Sequence, residues 1–173
     1  YDLAPSGPLL NDYLRSGMAA TLSSTLYGDE GDDQFGAGST GDDGADVMWG
    51  GNGTDVVSYL SRSAAVAVTA DGAAANDGDG ATTENDDVKS DIEVILGGSA
   101  ADVLQGNAGD NLIYGYAGAD SLWGGTGRDS LWGGDGNDSF IEQNTSGADW
   151  YYGGDYIDLA DYSQKTNALA ITL

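Results

Sequence analysis

From Gly97 to Ile141 a large apolar side chain returns every ninth residue, at Leu104, Ile113, Leu122, Leu131 and Phe140. Small and polar residues fill the intervals. Each period divides into a six-residue turn and a three-residue strand whose central, apolar residue faces an interior. The register reads GGSAADVLQ, GNAGDNLIY, GYAGADSLW, GGTGRDSLW and GGDGNDSFI, five units abutting without a gap. Position 1 is always glycine, at Gly97, Gly106, Gly115, Gly124 and Gly133. Position 4 is Ala100, then Gly109, Gly118, Gly127 and Gly136; position 6 is Asp102, Asn111, Asp120, Asp129 and Asp138. Two units close one coil, so turns on one edge recur every eighteen residues.

Glycines at positions 1 and 4 are expected to take positive φ and turn carbonyl oxygens inward. The position-6 carboxylate lies beside them. Calcium, a hard cation with six to eight oxygen ligands in a tolerant geometry, suits such a donor set. Ions between neighbouring turns would join Asp102 with Asp120, Asn111 with Asp129, and Asp120 with Asp138. Asn111 offers an amide oxygen without charge, which makes its site the weakest. The second turn residues, Gly98, Asn107, Tyr116, Gly125 and Gly134, belong to the same candidate metal set. One apolar side chain per nine residues does not offset the entropy of ordering them, so the metal is expected to be needed for folding.

This pattern resembles the calcium-binding nonapeptide repeat, G-G-x-G-x-D-x-U-x, of the RTX family of secreted bacterial proteins. The resemblance implies an all-β fold, a parallel β-roll or right-handed β-solenoid with several calcium ions along its edges. It implies a partner in the type I secretion machinery, engaged through a parent protein, and a secreted or cell-surface location. A protease, lipase or epimerase domain of that parent would lie outside these residues.

The register extends beyond the central block. It begins at Gly28 in GDEGDDQFG, with Asp33 at position 6, and pauses over residues 37–40. That pause is expected to change the stacking distance. The register resumes with Gly41 and Asp46, then Gly50 and Asp55. VKSDIEVIL (88–96) re-enters it, placing Glu93 at position 6, opposite Asn111. After Glu142 and Gln143 two imperfect units carry Asp149 and Asp158. The chain therefore divides into a flanking segment (1–26), N-terminal repeats (27–58), an insert packing on the roll (59–96), the main repeats (97–141) and degenerate repeats (142–173).

In the flanking segment Leu10, Leu14, Met18 and Leu22 recur every four residues, which suits a short amphipathic helix, a linker or the tail of a preceding unit. In the insert, AAVAVT (64–69) reads as a strand, and Ala73 to Asp87 as a solvated acidic loop that includes Asp77 and Asp79. DVVSYLSRSAAVAVT (55–69) resembles DLADYSQKTNALAIT (158–172), which suggests about one period of a longer array, closing where a second insert would start.

Composition narrows the chemistry. Against 29 Asp and Glu stand five Lys and Arg, a net charge of −24. Such a chain reads as disordered unless counter-ions are present, and its scattered cations do not suit nucleic acid. There is no Cys and no His, which removes thiol and imidazole chemistry and ordinary zinc sites. No membrane-spanning run is visible. Adjacent carboxylates such as Asp32-Asp33 could be imagined as a glycosidase pair, but metal in the turns would hold them ionised, so no catalysis is expected. Aromatics gather at position 9 (Trp49, Tyr114, Trp123, Trp132, Tyr152), pointing outward. They either cover the thin sheet or stack on a carbohydrate, a surface ligand or another copy. The leading expectation is a calcium-triggered folding module of an exported protein; the alternative is a calcium-dependent carbohydrate- or cell-binding module of an adhesin.

Overall fold

The computed structural model describes residues 2–3, 11–15, 23–36, 44–73, 77–79, 85–143 and 147–165, which form strands, all parallel except for the antiparallel pair at 66–67 and 78–79, and turns, and contain no helix. The N-terminal strands are β1 (Asp2–Leu3), β2 (Tyr13–Arg15), β3 (Thr25–Glu30), β4 (Gln34–Gly36), β5 (Val47–Asn52) and β6 (Val56–Ser58). The next segment carries β7 (Val66–Thr69), β8 (Gly78–Asp79), β9 (Asp87–Val88) and β10 (Val94–Leu96). The remainder are β11 (Val103–Gln105), β12 (Leu112–Ala117), β13 (Ser121–Trp123), β14 (Ser130–Asp135), β15 (Ser139–Ile141), β16 (Trp150–Asp155) and β17 (Leu159–Asp161).

A long sheet, β16-β14-β12-β10-β6-β4-β2, runs through the molecule. Two others share its core: β1-β3-β5-β9 at the N-terminal half and β17-β15-β13-β11-β7-β8 at the C-terminal half. This is a β-roll. Register follows the nonapeptide, with Ile113 beside Leu131 and Leu122 beside Phe140. Position 8 forms the interior: Phe35, Met48, Val57, Ile95, Leu104 and Leu122 are all fully buried in one cluster. The last unit departs from this, since Ala160 is exposed.

Several expectations are corrected. The pause at 37–40 leaves the stacking register unchanged: Leu26 pairs with Met48 and Phe35 with Val57 across it. The four-residue spacing in the flanking segment makes no helix around Leu14, which lies in β2 with its side chain in the core; Leu10, Met18 and Leu22 fall outside the described residues. A weak signal was present, because Gly7, Asp12 and Leu14 obey the 1-6-8 spacing. The insert itself supplies rungs of the roll: β8, paired to β7, edges one sheet, β9 edges another, and β10 joins β6 to β12. Asp77 and Asp79 are buried, not solvated. Asp77 accepts the Val88 N–H at 2.8 Å and the Thr69 N–H at 2.5 Å, and it bridges to Asp86.

Candidate metal sites

The turn before each strand delivers its position-6 side chain to an edge of the roll, where it reaches the backbone of the neighbouring coil. Along the long sheet, the N–H of Asp12 donates to Asp33 Oδ1 (2.7 Å), that of Asp33 to Asp55 Oδ1 (2.8 Å), and that of Asp55 to Glu93 Oε2 (2.9 Å). Glu93 thus accepts from the coil before it, as the position-6 aspartates do. Farther on, Asn111 N–H donates to Asp129 Oδ1 and Asp129 N–H to Asp149 Oδ1, both at 2.9 Å. On the opposite edge, Asp102, Asp120 and Asp138 donate in turn to Asp120, Asp138 and Asp158 at 2.7, 2.9 and 3.0 Å. The three pairs expected from the spacing are therefore neighbours.

These bonds use one carboxylate oxygen. The other, Oδ2 of Asp33, Asp55, Asp120, Asp129 and Asp138, is buried without a hydrogen-bond partner. A buried anionic oxygen left in that state is costly, and a cation is what would satisfy it. Among the described residues no three acidic side chains converge. Each ion would therefore take carboxylates from successive coils and complete its shell with turn carbonyls, a donor set that fits calcium.

Glycine at position 1 has a different reason from the one expected. A Cβ built on Gly124 would stand 2.0 Å from Asp129 Oδ2, and one on Gly133 2.1 Å from Asp138 Oδ2. Position 1 must lack a side chain because the carboxylate packs against it. Positive φ falls instead at positions 2 and 4, as at Gly134 (113°) and Gly136 (143°). Even Asp29 (70°) and Tyr116 (74°) adopt it at position 2, so the turn imposes the conformation on residues that resist it.

A third edge, under the N-terminal sheet, carries Asp46, which accepts the Ser24 N–H at 2.8 Å and donates its own N–H to Asp86 Oδ1 at 3.0 Å. Gly41 lies outside the described residues. Asp12 and Asp86 escaped the sequence reading; Asp86 and Val88 keep the 6-and-8 spacing but lack the glycines. At the far end Asp149 sits 3.4 Å from the Tyr151 hydroxyl, which also donates to Glu142, while Lys165 pairs with Glu142 at 2.6 Å.

Burial pushes the carboxyls of Asp55, Asp120 and Asp129 up to about 6, and that of Asp77 to about 7, from 3.8. Between about pH 4 and 6 the folded chain then binds more protons than the unfolded one, so stability without metal falls as pH rises through that window and the deficit persists above it. In chelator, the strand signal in circular dichroism is expected to be larger at about pH 5 than at about pH 7. A larger signal at the higher pH would contradict this.

The outward aromatics do form a ladder. Tyr114 stacks on Trp132 with ring centroids 5.8 Å apart, and Trp132 on Tyr152 at 3.9 Å, with interplanar angles of 22° and 13°. The rings turn their faces on one another. Trp49 instead lies under the Lys89 ammonium, 5.1 Å from the ring centroid.

Residues 23–39, 40–59, 96–131 and 114–141 match, in four copies, the family model of the RTX calcium-binding nonapeptide repeat. No curated protein matches the chain.

Proposed function

Because this chain belongs to the RTX calcium-binding nonapeptide-repeat family, we propose that it is a calcium-triggered folding module of a larger exported bacterial protein. The family is a structural, calcium-binding one and not catalytic. The observation that carries the reading is the row of buried, partnerless Oδ2 atoms repeating from coil to coil. The residues that would hold the ions are the position-6 carboxylates, foremost Asp33, Asp55, Asp120, Asp129 and Asp138, with carbonyls of the glycine turns around them.

The module works through the coupling of metal binding to folding. Where calcium is scarce, inside the cell, the acidic turns repel one another and the chain stays extended, the form that one-step type I export passes. Outside, at the calcium levels to which extracellular modules respond, the turns close and the roll assembles. Secretion or surface display follows from this reading. Among the described residues no helix is long and apolar enough to cross a membrane. The test is refolding: a chain dialysed against chelator should lack strand structure and regain it, cooperatively, on titration with calcium.

The carbohydrate- or cell-binding alternative is not adopted, because Tyr114 and Trp132 each stack on two neighbouring rings, and sugar stacking needs an open face. Titration with oligosaccharides at constant calcium is expected to leave tryptophan fluorescence unchanged. A saturable change would restore that alternative.

A further inference from the structure

The turns are of two kinds. In 28–33, 50–55, 115–120, 124–129 and 133–138, positions 2 and 4 both take positive φ, and the position-6 Asp keeps a buried Oδ2 without a hydrogen-bond partner. Turns 97–102 and 106–111, the first above the insert on each edge, are built otherwise. None of Gly98, Ala100, Asn107 and Gly109 has positive φ. Asp102 Oδ2 accepts the N–H of Gly98, in its own turn, at 2.6 Å. Asn111 Nδ2 donates to Gly109 O at 2.6 Å and to Asn107 Oδ1 at 3.0 Å.

Both turns also bond directly to the insert. Ser99 donates to Arg62 O through its N–H (3.1 Å) and its Oγ (3.3 Å). Asn107 Nδ2 donates to Ile92 O at 2.7 Å. The oxygens that elsewhere stand open are here taken by N–H donors. The Asn111 amide spends both ends inside its own turn, Oδ1 accepting the Asn107 N–H at 3.4 Å while Nδ2 donates to Gly109 O, and it carries no charge to hold a cation. Below these turns lie residues of the insert, Arg62 and Ile92, in place of a glycine bend, so an ion could be shared only with the bend above, 115–120 or 124–129.

We infer that turns 97–102 and 106–111 hold no calcium, and that the insert is a metal-free splice joining two separately loaded stacks, one over 28–55 and one over 115–158. This rests on the calcium reading proposed above. It means that the most regular run of the sequence begins with two repeats that have exchanged metal for hydrogen bonds. It also means that calcium fills two groups of sites, which need not have the same affinity.

The test combines a count with a map, both on the full chain. By calorimetry, Asp120→Asn is expected to lower the number of calcium ions bound, and Asp102→Asn to leave it unchanged. Because Asp102→Asn could impair folding, the wild-type protein crystallised with calcium supplies the second measurement. Its anomalous difference map should show peaks between turns 28–33 and 50–55, and between turns 115–120 and 133–138, with none against Asp102 or Asn111. A peak at either residue, or an equal loss of ions in both variants, overturns the splice while leaving the calcium module standing. A wild-type chain that binds no calcium overturns the module itself, and the splice with it.

Discussion

Chelation of calcium at neutral pH is expected to abolish the strand spectrum of this chain and its cooperative unfolding transition, and readdition of calcium to restore both. Each coil buries two position-8 side chains, a thin core for eighteen ordered residues. The carboxylates at position 6 lie on top of one another, coil after coil, in a chain of net charge −24. Their second oxygens are buried at Asp33, Asp55, Asp120, Asp129 and Asp138 without a donor. Every one of these features opposes folding until a cation is bound. With calcium at a hundredfold its dissociation constant, each ion contributes about 2.7 kcal/mol, and several such ions amount to the margin by which ordinary domains are stable. Magnesium, which prefers a tight octahedral shell and keeps its waters, should not substitute, and sodium chloride should only screen. Circular dichroism across a chelator titration decides the matter: retention of the full strand signal would remove the basis of the proposed function.

The second large effect concerns a single methyl group. Gly136 has φ of 143°, and a Cβ built there would lie 1.5 Å from Gly118 O in the coil below. Gly136→Ala therefore meets both a backbone conformation that resists side chains and a carbonyl that cannot withdraw without opening the parallel ladder. A loss of about 3 kcal/mol or more is expected, together with weaker calcium binding, because the displaced turn is one that would hold an ion. Gly72→Ala is the control. Its φ is 72° but the nearest atom to the added Cβ is 3.8 Å away, so only the conformational cost of about 1–2 kcal/mol applies. Urea denaturation of both variants in saturating calcium gives the comparison; equal losses would mean that close stacking of the turns does not limit stability.

How much of this was legible beforehand depends on whether the signal was periodic. Leu104, Ile113, Leu122, Leu131 and Phe140 announced an interior one residue wide, and the structure buries all five. Position 1 was correctly read as a place for glycine, but for the wrong reason: the residue is small because Asp129 or Asp138 packs on it, which is a contact five residues round a bend. The outward placing of the position-9 aromatics was expected, and Tyr114 and Trp132 stack there one coil apart. What its rings face could not be read from spacing. Sequence places a ring on a side of a strand but does not fix its plane.

The chain by itself determined the roll, its core and the edges on which carboxylates line up, because an eighteen-residue coil with parallel neighbours brings like positions together wherever the nonapeptide holds. Only the tertiary structure decided what happens where the repeat stops. Asp77 and Asp79 look like solvated loop residues, yet β8 pairs antiparallel with β7, and Asp77 bridges to Asp86 ahead of β9. Turns 97–102 and 106–111 look like ordinary members of the series, yet Arg62 and Ile92 beneath them accept hydrogen bonds from Ser99 and Asn107. The reason is one of range. A period acts through identical neighbours and is written locally, whereas the conformation of a turn above a non-repeating segment is set by residues far away in sequence, whose position no local pattern records.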